Sequence, residues 1–148
     1  MTNMKSARYI VFGMLLLLLA CAPDIDVERN EILQYLKSKN MKAIDTLGVF
    51  VVIDDEGSEL KPKEKSTITL SFEARYLDDE VFDKSPVNQD VKINISTALV
   101  GLKSGLTFFG KNGKGTIIIP SSLGYGNNPP FGVRKDAILV YQVHVIDF

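Results

Sequence analysis

The chain's inventory of reactive side chains is small. His144 is its sole histidine and Cys21 its sole cysteine. No His/Cys cluster has the spacing of metal ligands, and the aspartate pairs at 54–55 and 78–79 lack a calcium-loop pattern. His144 shares a strand face with Gln142 and reads as a solvent-side residue. Nucleophilic catalysis lacks a partner too, because a serine needs a base and no second histidine exists to supply one. No glycine-rich sequence joins a strand to a helix as a phosphate cradle requires. What remains is an apolar site with few polar groups. Asp83 follows Phe82 in "EVFDKS", and Tyr125 stands between two glycines in "IIIPSSLGYG". Read alone, Asp83 either begins a turn before Lys-Ser-Pro or offers a carboxylate to a pocket. Tyr125 is either a turn residue with a wet hydroxyl or one wall of a site.

The elements that must position these groups are mostly strands. From Gly48 onward the periodicity changes from helical to alternating. "GVFVVID" predicts a first strand that is apolar on both faces. In "STITLSFEARY", Ile68, Leu70, Phe72, Ala74 and Tyr76 fall on one face while Thr67, Thr69, Ser71, Glu73 and Arg75 fall on the other. That pattern predicts a strand packed on one side and wet on the other. "LDDEVFD" reads as a turn, and "VKINI" alternates again. A buried stripe of Leu99, Leu102, Leu106 and Phe109 predicts one short helix, stopped by the glycines of "GKNGKG". "TIIIP" and "AILVYQVHVI" complete the strands. The order predicts an α+β fold in which a mostly antiparallel sheet wraps on one central helix. With these periods alone, Phe72, Leu99, Leu102 and Tyr141 are core in any fold.

At 148 residues the chain fits one domain, and its 17 basic and 18 acidic residues nearly cancel. Nucleic-acid binding would need a surplus of Lys and Arg, and none is present. Residues 1–20 read as a signal peptide: Lys5 and Arg8 precede the apolar run Tyr9–Leu19, which is short for a membrane span. The run ends in "LLAC", which resembles a bacterial lipoprotein signal and implies a lipid on Cys21. A single cysteine excludes an intrachain disulfide. Residues 21–45 form a polar leader and a helix from Val27 to Ser38, capped by Asp26, with Ile32, Leu33 and Leu36 as a narrow apolar stripe. That helix is expected at the domain edge, or as a spacer from the membrane, with no chemistry of its own.

The pieces "EVFDKS", "GLKSGLTFF", "IIIPSSLGYG" and "AILVYQVHVI" occur in the order seen in FKBP-type peptidyl-prolyl cis-trans isomerases. The resemblance covers residues 46–148, and it implies a sheet wrapped on a short helix and rotation of X–Pro peptide bonds. Twisting a peptide bond costs about 18–20 kcal/mol because it destroys amide resonance. An apolar pocket favours the less dipolar twisted amide, and a few donors hold the flanking carbonyls. Neither a cofactor nor a metal is needed. By its motifs the resemblance gives Phe82 as an aromatic wall and Asp83 as the pocket carboxylate. Leu99 becomes the residue whose N–H holds a substrate carbonyl, and Tyr125 the loop phenol that reaches the ligand. Phe72, Leu102, Val133 and Tyr141 complete the substrate-binding set.

The sequence also departs from the family's pattern. Leu102 stands where tryptophan is usual, and Phe72 replaces a frequent tyrosine. Val91 lies where phenylalanine is common, and "VRKDA" replaces an Ile-Pro-rich approach to the last strand. These changes imply a shallower, less aromatic pocket. The expected partners are proline-containing unfolded or exported polypeptides, met by a lipid-anchored monomer in a bacterial envelope, facing the periplasm. A catalytically weak binding module or chaperone, and an accessory lipoprotein of an envelope complex, are the competing readings.

Overall fold

The computed structural model describes residues 25–148. The expected signal peptide, Cys21 and the first residues of the leader lie outside the described residues. Helix α1 spans Ile25–Ser38. Asp26 lies within its first turn instead of capping it, beside Glu28, where carboxylates complement the helix dipole. The buried face of α1 is Glu28, Ile32, Tyr35 and Leu36, while Leu33 is 44% exposed. Residues four and seven apart share a helix face, and Leu33 sits about 100° away from Ile32 on the wheel.

The strands are β1 (Ile44–Thr46), β2 (Val49–Asp55), β3 (Thr67–Arg75), β4 (Val81–Lys84), β5 (Val91–Asn94), β6 (Lys114–Ile119) and β7 (Leu139–Asp147). They form a seven-stranded sheet in the order β1-β2-β6-β7-β3-β4, with β5 also on β3. Every pairing is antiparallel. Helix α2, Val100–Leu106, lies against the concave face. The fold is therefore α+β, as the sequence predicts.

Strand β2 is apolar on both faces because both are covered. Val49 and Val51 join the main core with Leu106, Phe109 and Ile117. Phe50 and Val52 turn the other way and pack with Ile118, Val140 and the α1 residues Ile32, Tyr35 and Leu36. Helix α1 thus covers the middle of the sheet's outer face, not the domain edge expected of it. The cause is a run of strand residues that needs two apolar neighbours.

Three elements differ from expectation. Strand β1 is too short to read in a sequence, and its turn into β2 uses left-handed backbone at Leu47 and Gly48 (φ 51 and 89). Helix α2 is shorter than its apolar stripe, because the N–H groups of Phe108 and Phe109 bond back to the carbonyls of Gly105 and Leu106 at 3.2 Å. This tighter turn ends the helix and sends Phe109 fully into the core. Finally, the segment read as a turn contains β4, so Phe82 and Asp83 sit on a strand. Glycine lets α2 lie directly on β6: a Cβ at Gly101 or Gly105 would come within 2.3 Å of Ile119 Cγ2 or 2.4 Å of Ile117 Cγ2. That contact sets the depth of the floor beneath the site.

Candidate active site

Consecutive strand residues point to opposite faces, yet Phe82 packs on the main core while the next residue, Asp83, lines the concave cavity. A bulge accounts for this. Asp83 pairs with Ala74 and Val81 with Arg75, which leaves Phe82 as the additional residue between the two pairings. Phe82 stacks on Tyr76 with ring centroids 4.7 Å apart and meets Tyr141 edge-on at 6.1 Å. The Asp83 side chain stays exposed, and its Oδ1 accepts a hydrogen bond from the N–H of Lys84 at 2.8 Å.

The long strand β3 carries two short partners on one edge, β5 at its start and β4 at its end. Between them the backbone of Phe72 would be left unpaired. Ser85 satisfies it: its Oγ accepts from the Phe72 N–H at 2.7 Å, and its N–H donates to the Phe72 carbonyl at 2.9 Å. The chain leaves the sheet here and returns at β5, and the Phe72 ring looks into the gap, 5.9 Å from Tyr141.

On the other side the chain enters α2 through Leu99, whose extended ψ of 144° places it at the helix N-cap. The Leu99 carbonyl accepts from Lys103 N–H at 2.9 Å, and its own N–H has no acceptor among the described residues. After β6, Pro120 ends the strand and a 3-10 turn over Ser121–Leu123 follows. The Ser121 carbonyl accepts from both Gly124 and Gly126 N–H at 3.0 Å. Tyr125 stands between these two anchors, and Gly126 supplies the left-handed backbone (φ 54) that closes the loop.

Together these elements enclose a cavity of about 260 Å³ lined by Phe72, Asp83, Ile93, Thr97, Ala98, Leu99, Leu102, Tyr125 and Tyr141. Of the residues singled out in the sequence, Phe72, Asp83, Leu99, Leu102, Tyr125 and Tyr141 meet in it. Phe82 stands behind Tyr141 as its support. Val133 does not line the cavity; it lies in the following loop, its N–H on the Pro130 carbonyl at 3.1 Å. That loop is fastened to the β3–β4 turn through Arg134. The Arg134 guanidinium donates to Asp78 at 2.7 Å and Glu80 at 2.5 Å and covers the Tyr76 ring at 4.2 Å. The backbone N–H of Arg134 donates to the Tyr76 hydroxyl at 2.9 Å. Sequence reasoning missed Ile93, Thr97 and Ala98. The alternation of "VKINI" marks Ile93 as an apolar, inward position, but alternation alone does not distinguish a cavity wall from core.

Burial pushes the Tyr141 phenol far above its ordinary value, and the neighbouring Tyr125 phenol and Asp83 carboxylate add to the shift. The group stays protonated and presents an O–H donor at the base of the cavity. Charge here is limited to one carboxylate, with two phenols and a backbone N–H as donors. Such a site binds a neutral, partly apolar group and holds its carbonyls. A second concavity, about 420 Å³, lies on the outer face of the sheet beside His144. Its rim of Asp54, Glu73, Lys84 and Lys114 is charged, and it has none of this convergence. Among the described residues no cluster of His, Cys, Asp or Glu has the arrangement of a metal site.

A twisted sheet closed over a short helix, with an apolar cavity rimmed by phenols and one carboxylate at the helix's start, defines the FKBP-like class of α+β domain. The chain belongs to the FKBP-type peptidyl-prolyl cis-trans isomerase family, which matches residues 58–146. It is 28% identical over 138 residues to the FKBP-type peptidyl-prolyl cis-trans isomerase FkpA of Buchnera aphidicola from Schizaphis graminum, covering 85% of this chain and 54% of the relative. The Escherichia coli K12 FkpA is 26% identical over 115 residues, 77% of this chain and 42% of that protein. The chain thus spans about half the length of these curated relatives. Among solved structures, FkpA from Escherichia coli superposes with a TM-score of 0.73 at 25% identity, covering 85% of this chain and 60% of that one. A peptidyl-prolyl cis-trans isomerase from Pseudomonas syringae shares the fold at a TM-score of 0.71 and 21% identity, over 86% and 96% of the two chains.

Proposed function

We propose that this protein catalyses cis-trans isomerisation of X–Pro peptide bonds in polypeptides at the bacterial envelope and so assists their folding. The observation that carries this reading is the convergence of Phe72, Leu102 and Tyr141 with Asp83, Tyr125 and the unpartnered Leu99 N–H around one cavity. The proline ring enters between Phe72 and Tyr141 over Leu102. The Leu99 N–H and the Tyr125 hydroxyl hold carbonyls flanking the bond. Removal of water from the cavity disfavours the dipolar planar amide more than the twisted one. The slow isomerisation of X–Pro bonds gives such catalysis its use, because it limits folding. Exchange spectroscopy by NMR on an X–Pro peptide tests the reading: catalysed exchange above the uncatalysed background is expected, and background exchange with the folded protein would refute it.

A second reading, a binding module with little turnover, draws on one feature: the floor is the aliphatic Leu102, with no flat aromatic surface beneath the proline. Leu102→Trp separates the two. If the floor limits catalysis, the variant exchanges the peptide faster than wild type. If the added volume overpacks the 6%-exposed site instead, stability falls by about 1–3 kcal/mol with no gain in rate. The sequence upstream supports a lipid tether on Cys21, with residues 46–148 as a monomeric domain carried by it. The support is the basic Lys5 and Arg8, the short apolar run and "LLAC". Among the described residues no helix is long and apolar enough to cross a membrane.

A further inference from the structure

We propose that Glu28, on helix α1, is a positioning residue for the cavity: it fixes Ser121, and Ser121 fixes the two glycines that hold Tyr125. The activity arm of this inference rests on the isomerase reading, whereas its structural arm does not.

The helix and the loop are far apart in sequence but meet through one buried contact. Glu28 is 8% exposed and Ser121 1%. Ser121 donates its N–H to Glu28 Oε2 at 2.8 Å and its hydroxyl to Oε1 at 2.5 Å. Its carbonyl accepts from Gly124 and Gly126 at 3.0 Å. The donors of Ser121 are thus spent on α1, and its acceptor on the backbone to either side of Tyr125. Gly126 is held from its other end as well, its carbonyl accepting from Asp136 N–H at 2.8 Å.

Docking of the helix does not explain this residue. Ile32, Tyr35 and Leu36 already supply the apolar contact of α1 with Phe50, Val52, Ile118 and Val140. A buried carboxylate is a costly way to add packing, and no cation pairs with Glu28 among the described residues. Its compensation comes from the Ser121 donors and from its place in the first turn of α1, where the helix dipole favours negative charge. The geometry gives that carboxylate a directional task that an apolar side chain could not perform. Without it the Ser121 N–H loses its acceptor in a buried setting, and the 3-10 turn under Tyr125 is free to shift. A phenol that must meet a carbonyl within hydrogen-bond reach is sensitive to such a shift.

The test compares the full chain with its Glu28→Ala, Glu28→Gln and Ser121→Ala variants by amide hydrogen exchange and by X–Pro peptide exchange. Glu28→Ala is expected to speed exchange at the Gly124 and Gly126 amides by about tenfold while the β6–β7 ladder keeps its protection. It is also expected to lower kcat/KM by about fivefold. Glu28→Gln retains an acceptor for the Ser121 N–H and should recover most of both. Ser121→Ala removes only the hydroxyl and should loosen the two glycines less, which gives a reading even if Glu28→Ala does not fold. In a Tyr125→Phe background the Glu28→Ala loss of activity should largely disappear, because both act through the same phenol. Wild-type exchange at Gly124 and Gly126 in Glu28→Ala, or an undiminished loss in the Tyr125→Phe background, overturns the inference. If the wild type proves inactive, the exchange data still decide whether the clamp exists, and only the isomerase reading falls.

Discussion

Asp83 is the residue on which the enzyme reading depends most. Its carboxylate reaches the cavity from a strand whose backbone pairing is independent of the side chain. Asp83→Ala should therefore lower kcat/KM about tenfold, a loss of about 1.4 kcal/mol in transition-state stabilisation, with little change in melting temperature. Tyr125→Phe removes one neutral hydrogen bond of about 1 kcal/mol and should cost less. NMR exchange run beside thermal melts reads both. Tyr141 makes a different prediction, through pH. Its phenol is held far above the ordinary value of 10.0, chiefly by burial. The unfolded chain thus ionises first as pH rises, so the stabilisation is complete below about pH 10 and is lost progressively above it. Tyr141→Phe should remove that part of the alkaline loss, seen as a flatter melting temperature between about pH 9 and 11. An equally steep fall in the variant would assign the loss to other groups. The sequence made the polar members of this site legible because Asp83 and Tyr125 stand in short, ordered motifs. Thr97 and Ala98 were not legible, since they are ordinary residues made into a wall by where the approach to α2 runs, and Ile93 was legible only as an apolar position of β5. Val133 shows the reverse case: a motif position that the backbone leaves outside the cavity.

At the scale of elements, the long strands and the second helix were readable because their apolar periods are sustained. Strands β1 and β4 were not, because β1 is only three residues long and the bulge in β4 breaks its alternation. The bulge that brings Phe82 and Asp83 to one side is a property of the pairing with β3, and local composition does not encode it. Helix α1 shows tertiary context selecting a face: Tyr35 is buried and Leu33 exposed, although leucine is the more apolar of the two. The loop after Tyr125 has its own fastening in Arg134, which ties it to the β3–β4 hairpin behind Phe82. Hydrogen bonding from the Arg134 guanidinium, and then from the Glu80 N–H, holds the Asp78 carboxyl below its ordinary 3.8. A depressed carboxyl stabilises the folded form above its unfolded value and ceases to do so as pH falls through the folded one. The fastening should thus weaken only below about pH 4. Arg134→Met keeps a stem over Tyr76 but removes the charge. In that variant the Asp78 midpoint followed by NMR should rise toward 3.8, and loop amides around Val133 should exchange faster. Because these side chains are exposed, high salt should produce part of the same loosening in the wild type. A midpoint for Asp78 that ignores Arg134→Met would show that the pair does not hold in solution.

For the whole molecule, the central question is how an isomerase-like domain is kept where unfolded chains appear. The chain carries nearly balanced charge, and among the described residues no helix is long and apolar enough to cross a membrane. Attachment in our reading comes from a single lipidated residue, Cys21, a few residues before α1. Helix α1 then docks across the middle of the sheet, and its Glu28 touches the turn beneath Tyr125. Helix α1 thus packs on the face of the sheet opposite the cavity, while its Glu28 still reaches the turn that carries Tyr125. A diacyl-type anchor adds about 0.8 kcal/mol per buried CH₂, enough with two chains for stable attachment. The full chain expressed in a bacterium should therefore sediment with membranes and be released by detergent, but not by high salt. Cys21→Ser should leave residues upstream of position 21 attached and abolish incorporation of a labelled fatty acid. Its X–Pro exchange rate in detergent extract should match that of the wild type, because the cavity is built from residues between Phe72 and Tyr141. Wild-type protein that stays in the soluble fraction and carries no lipid at Cys21 would remove the tether from this account, and leave the isomerase reading where the cavity places it.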